Sequence, residues 1–242
     1  MLNRERQCSF IRVSTLSLLL ALSLNISADS ITIYLIPGQG SDSTIFAKLT
    51  FPQGYQVKHI KFITPIKDET MSCYAERLST QIIDEKFILM GVSLGGMLST
   101  EITEILSPLQ TIIISSAKSK AELPKRYTFQ QKFPIYRLIS PRINKIGAKL
   151  LQPIVEPDRN TEKAAFKAML DRKDPIFLNR TISMIINWDR QSTDKNIIHI
   201  HGDNDHTVPI RNIDYDYLVK DGSHMMTLTR PDEISKILAE IL

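Results

Sequence analysis

From Ser30 onward the chain alternates short apolar runs with stretches whose apolar residues recur every three or four positions. Ile31–Ile36 is one such run and reads as a strand, stopped by Pro37-Gly38-Gln39-Gly40. A short helix is predicted near Thr44–Leu49, a strand at Tyr55–Ile63 and a helix over Glu69–Ile82, where the period is helical. Phe87–Met90 is short and wholly apolar, the pattern of a strand buried on both faces. Leu94–Leu106 then reads as a helix and Gln110–Ile114 as another buried strand.

The alternation stops after residue 117. Residues 118–187 hold several helical patterns broken by prolines, among them Pro124, Pro134, Pro141 and Pro175. Strands resume at Asn196–His201 and Asp216–Val219, and Pro231 opens a last helix, Asp232–Leu242. Strands that alternate with helices imply an α/β fold, a mostly parallel sheet of about six strands joined by right-handed crossovers. On this reading residues 29–117 and 188–242 form the core, and 118–187 is a helical cap inserted over the sheet's carboxyl edge.

Composition narrows the classes. A chain of 242 residues with 43% hydrophobic and 23% charged residues can bury a core of its own, which excludes disordered, collagenous and disulfide-scaffold proteins. A net charge of +4 is mild for a nucleic-acid binder, and no nucleic-acid partner is expected. Arg4, Arg6 and Arg12, the leucine-rich run Val13–Leu24 and Ala28 have the layout of a secretory signal cleaved after Ala28. Secretion or export to a periplasm is the expected localisation, with a retained N-terminal anchor as the alternative. Removal of residues 1–28 would leave a charge of +2 and Cys73 as the lone cysteine, expected as a buried thiol in a helix.

Only nine glycines are present, and several cluster at candidate loops. Gly91-Val92-Ser93-Leu94-Gly95 lies between an apolar strand and an amphipathic helix. A serine at such a tight turn is held in strained geometry with its hydroxyl out of the sheet, and its neighbours must be small. The bland alternative is a serine that simply caps the helix. With this motif the chain resembles the α/β-hydrolase family from about Ser30 to Leu242, as a version lacking the first two strands. The resemblance implies Ser93 as nucleophile, followed in chain order by an acid and a base, with no cofactor and no metal. Gly202-Asp203-Asn204-Asp205-His206-Thr207-Val208-Pro209 fits the family's Gly-x-x-Asp-x-x-x-Pro pattern with Asp205 as the acid, and Asp203 competes. Of the five histidines, His224 follows the last strand, where the family places its base. His59, His199 and His201 sit in strands and read as structural, and His206 adjoins the acid.

By the same resemblance the backbone amides of Gln39 and Leu94 would form an oxyanion hole, although Pro37 stands where the family usually has histidine. A dinucleotide-binding fingerprint at Gly38-Gln39-Gly40 fails, because position 43 is Ser43. The expected activity is hydrolysis of a small ester or acyl substrate through an acyl-enzyme. Amidase, thioesterase or acyltransferase chemistry, or a weakly active binding protein, are the alternatives. Residues 118–150 carry nine Lys/Arg against one acid, Glu122, interleaved with aromatic and aliphatic residues. That segment, Tyr127 among its apolar residues, reads either as a solvated basic face or as a cap whose apolar side covers an acyl pocket and whose basic side meets an anionic membrane or substrate.

Overall fold

Six strands form one sheet in the order β2-β1-β3-β4-β5-β6, every adjacent pair parallel. They are β1 (Ile31–Ile36), β2 (Tyr55–His59), β3 (Phe87–Val92), β4 (Gln110–Ile114), β5 (Ile197–Gly202) and β6 (Tyr217–Val219). The computed structural model describes residues 30–155, 161–193 and 195–242, and the segment read as a secretory signal lies outside the described residues.

The apolar runs are strands because both faces of the sheet are covered. Successive residues of β1 divide between two cores, Ile33 and Leu35 on one side and Tyr34 and Ile36 on the other. In β3, Ile88, Met90 and Val92 face the first core and Phe87 and Leu89 the second. Helix α7 (Pro231–Ile241) packs Ile234 and Leu238 into the first. Helices α1 (Met71–Ser79) and α2 (Leu94–Ile105) fill the second, with Tyr74, Leu78, Leu98 and Ile102 buried there. A strand wetted on neither face has no use for polar positions, hence the continuous apolar runs.

Several element boundaries differ from the sequence reading, each for a local reason. The strand predicted to Ile63 ends at His59, because its neighbour β1 ends at Ile36, before Pro37. The helix predicted from Glu69 begins at Met71, since Thr70 Oγ1 accepts the Cys73 amide at 3.2 Å and caps it. The helix near Thr44–Leu49 is a 3-10 turn, Ser43–Phe46, capped by Asp42. Cys73 is exposed, not buried. Helix α1 buries Met71, Tyr74, Ala75 and Leu78, and Cys73 falls on the opposite side of that stripe.

Between β4 and β5 lie α3 (Lys125–Lys132), α4 (Pro141–Val155), α5 (Lys163–Arg172) and α6 (Pro175–Ile186). The chain returns to the sheet through Trp188 and Arg190, which share one acceptor. Trp188 Nε1 donates to Glu101 Oε1 at 2.7 Å, and Arg190 grips both carboxylate oxygens at 2.7 and 2.8 Å.

Strand order reverses between β1 and β3: the chain runs outward from β1 to β2, then crosses back over β1 to β3. The loops leaving adjacent strands diverge at such a point and open a crevice at the carboxyl ends. Here those loops begin at Pro37 and Ser93.

Candidate active site

Ser93 stands in that crevice, at the junction of β3 and α2, with φ 55° and ψ −121°. A non-glycine residue in this region carries about 1–3 kcal/mol of strain and persists only where its surroundings fix it. Three contacts do so. The Ser93 amide donates to the Ile114 carbonyl at 3.0 Å, and the Ser93 carbonyl accepts from the Gly96 amide at 2.9 Å and Ser116 Oγ at 2.7 Å. The hydroxyl makes no capping bond to α2, so the helix-cap reading of this serine is set aside. The close approach demands glycine at position 95, where a Cβ would stand 2.0 Å from the Ile36 carbonyl oxygen.

The loops after β5 and β6 carry Asp205 and His224 and are bound to each other. The Asn204 amide donates to the Gly222 carbonyl at 3.1 Å, and a Cβ on Gly202 would lie 2.1 Å from that same oxygen. Across this joint His224 Nδ1 lies 2.8 Å from Asp205 Oδ2, and His224 Nε2 lies 2.8 Å from Ser93 Oγ. Asp205 and His224 are buried. Asp205 Oδ1 accepts the amides of Thr207 and Val208 at 2.8 and 2.7 Å, so its carboxylate cannot rotate without breaking three hydrogen bonds. Asp203, the competing acid, turns away and accepts the Asp221 amide.

Gln39 and Leu94 flank the serine on the two other loops. Among the described residues no protein acceptor is found for either backbone amide. The loop that carries Gln39 is braced by its own residues: the Gly38 amide donates to Ser41 Oγ at 2.9 Å, and the Ser41 amide to the Gly38 carbonyl at 3.2 Å. The Gln39 side chain reaches α6, donating to the Leu178 carbonyl at 3.0 Å and to Thr181 Oγ1 at 2.8 Å. In this chain those contacts support a loop that begins with Pro37.

Two features escape sequence reasoning. His201, read as structural from its place in β5, is buried against the acid: its Nε2 donates to the Val208 carbonyl at 2.9 Å and lies 3.7 Å from Asp205 Oδ2. Burial pushes the imidazoles of both His201 and His199 below the ordinary histidine range, against the pull of Asp205 on the first. His199 Nε2 stands 3.2 Å from His201 Nδ1, so the two rings form one buried chain behind the acid loop. The second is the share of α5 and α6 in the wall of the cavity above Ser93, which the expected cap around Tyr127 completes. The cavity measures about 180 Å³ and takes Tyr127 from α3, Phe166 and Leu170 from α5 and Ile185 from α6. No cluster of three or more potential metal ligands occurs among the described residues.

The arrangement sets a hydroxyl, an imidazole and a carboxylate in hydrogen-bonded line beneath a mostly apolar cavity, with unused amide donors on the adjoining loops. No protein-family model matches the sequence, and no curated protein matches it. Solved structures do resemble the fold. The enol-lactonase of Burkholderia xenovorans LB400 superposes with a TM-score of 0.68 at 14% identity, over 86% of this chain and 90% of that one. A carboxylesterase of the thaumarchaeon Nitrososphaera gargenis gives 0.66 at 15% identity, over 87% and 89%. A thermophilic esterase of Thermogutta terrifontis gives 0.61 at 14%, over 86% and 88%.

Proposed function

We propose that this chain, which has the α/β-hydrolase fold, is a serine hydrolase that cleaves a small carboxylic ester through an acyl-enzyme. The observation that carries the reading is the Asp205–His224–Ser93 line, two contacts of 2.8 Å ending on a serine with positive φ. Neighbours of the fold named as esterases and a lactonase agree with it, since a lactone is a cyclic ester.

Each group has a distinct task. With its Nδ1 proton held by Asp205 Oδ2, His224 presents an unprotonated Nε2 to Ser93 Oγ and takes its proton as the oxygen attacks the ester carbonyl. Negative charge gathers on the former carbonyl oxygen, where the amides of Gln39 and Leu94 and the start of α2 meet it without reorganising. His224 then gives the proton to the departing alkoxide, leaving Ser93 acylated. Water then attacks the acyl carbon as it loses a proton to the same nitrogen, and the acid leaves when the bond to Oγ breaks and His224 returns that proton to Ser93.

The cavity suits a small acyl group. About 180 Å³ holds roughly six groups of water size, enough for a short acyl chain or small lactone ring. Turnover of p-nitrophenyl acetate and butyrate, with an initial burst of about one equivalent, is expected of the wild type, and a loss of at least about 10³-fold in Ser93→Ala and His224→Ala. Turnover that survives Ser93→Ala, or none by a folded wild type from acetyl to octanoyl esters, overturns the proposal.

A further inference from the structure

The segment that roofs the cavity has a second, outward face whose character the chemistry at Ser93 does not require. Helix α3 buries none of its residues. Phe129 and Phe133 are each more than half exposed and pack on each other with ring centroids 5.1 Å apart. Ile135 is equally open, Leu138 is 87% exposed, and all four side chains line one shallow apolar depression. In α4, Ile143, Ile146 and Leu150 fall at helical spacing on one stripe, and Leu150 is 73% exposed. Single exposed apolar residues are ordinary, whereas a stripe beside an aromatic pair marks a surface that meets something.

Charge indicates what it meets. Residues 118–187 hold fifteen Lys/Arg against six Asp/Glu, whereas 29–117 and 188–242 together hold twelve against nineteen. Residues 29–242 are therefore split, +9 on the segment that bears the apolar face and −7 on the remainder. Of the nine cations in 118–150, only Lys118 and Lys149 reach a carboxylate within 4 Å among the described residues. Two copies meeting through this face would bring like charges together, which opposes a dimer there. An anionic lipid surface satisfies both features: acyl chains for the apolar side chains, phosphates for the lysines and arginines around them.

We infer that the outer face of α3, the turn Ile135–Leu138 and α4 docks on anionic bilayers, with Phe129, Phe133, Ile135 and Leu138 entering the headgroup boundary. The inference does not depend on the reaction at Ser93. The test is sedimentation of the full chain with phosphatidylcholine vesicles, with and without 30% phosphatidylserine, at low and high salt. Binding is expected to require the anionic lipid and to weaken with salt. Lys132→Glu with Arg142→Glu should lower the partition at least about thirtyfold, since each cation near such a surface contributes about fivefold. Phe133→Asp with Leu138→Asp should abolish it. These side chains are exposed, so circular dichroism and hydrolysis should match the wild type. Binding equal on neutral and anionic vesicles, or unchanged in both double variants, overturns the inference. So does self-association that the same substitutions abolish in the absence of lipid binding.

Discussion

Replacing Asp205 by Asn isolates one atom of the proposed mechanism. The carboxylate accepts on both oxygens: Oδ1 from the Thr207 and Val208 amides, Oδ2 from His224 Nδ1. An asparagine keeps one acceptor and gains a donor. Its oxygen must stay on the two amides, because the reverse orientation sets an NH₂ group against two buried N–H groups. The NH₂ group then faces Nδ1, which can meet it only as an acceptor, and the ring's proton moves to Nε2. His224 now donates to Ser93 Oγ instead of accepting from it, and the general base is gone. A wrong tautomer with otherwise intact geometry costs about 10⁴-fold in kcat, or about 5.4 kcal/mol of barrier. The assay is turnover of p-nitrophenyl acetate beside a thermal melt, with Asp203→Asn as control. The control should stay within about threefold of wild type, because Asp203 accepts the Asp221 amide, away from His224. A folded Asp205→Asn variant with kcat within tenfold of wild type refutes the reasoning.

Three other outcomes follow from the same structure. Leu170→Ala takes three carbons from the cavity wall and should move the preferred acyl length upward across a p-nitrophenyl series; an unchanged profile would place the acyl chain elsewhere. Glu101→Ala strips Arg190 and Trp188 of their shared acceptor; Arg190 keeps Glu104 at 3.1 Å, but the buried Trp188 Nε1–H is left unpaired, at a cost of about 2 kcal/mol. The melting temperature should fall by about 4 °C or more, and a shift under 2 °C would contradict the assignment. Acidification should also destabilise the fold. Burial lowers the pKa of His199 and His201, so below about pH 6.5 the unfolded chain takes up protons that the folded chain refuses, at most about 1.4 kcal/mol per histidine by pH 5.5. Glu122, raised by burial, acts in the opposite sense and cannot produce that loss. Melts between pH 7.5 and 5.5 that superpose would refute it.

Sequence made the sheet legible because its central strands are buried on both faces, so Ile31–Ile36, Phe87–Met90 and Gln110–Ile114 stand out without any knowledge of their partners. The residues that meet in the crevice were legible for another reason: each lies in a short loop whose glycines report on close backbone approach, as at Gly95 and Gly202. Contacts made across long separations left no such local trace. Nothing in Gln39 announces a side chain bound to α6, and nothing in the alternation of β5 separates His201, packed on Asp205, from an ordinary core histidine. The cavity wall was legible only in part: the segment around Tyr127 reads as a cap over an acyl pocket, whereas Phe166, Leu170 and Ile185, from two later helices, carry no local sign of lining it. Cys73 marks the opposite error, where helical periodicity was clear but which stripe faced inward was misjudged.

The proposed reaction rests on Ser93 being a nucleophile activated by His224. Labelling of the full chain with a fluorophosphonate, read by intact mass and peptide mapping, tests this directly. One adduct per chain is expected on Ser93, absent from Ser93→Ala and slowed by orders of magnitude in His224→Ala. A folded wild type that takes up no probe, or an adduct that maps to another residue, would contradict the account.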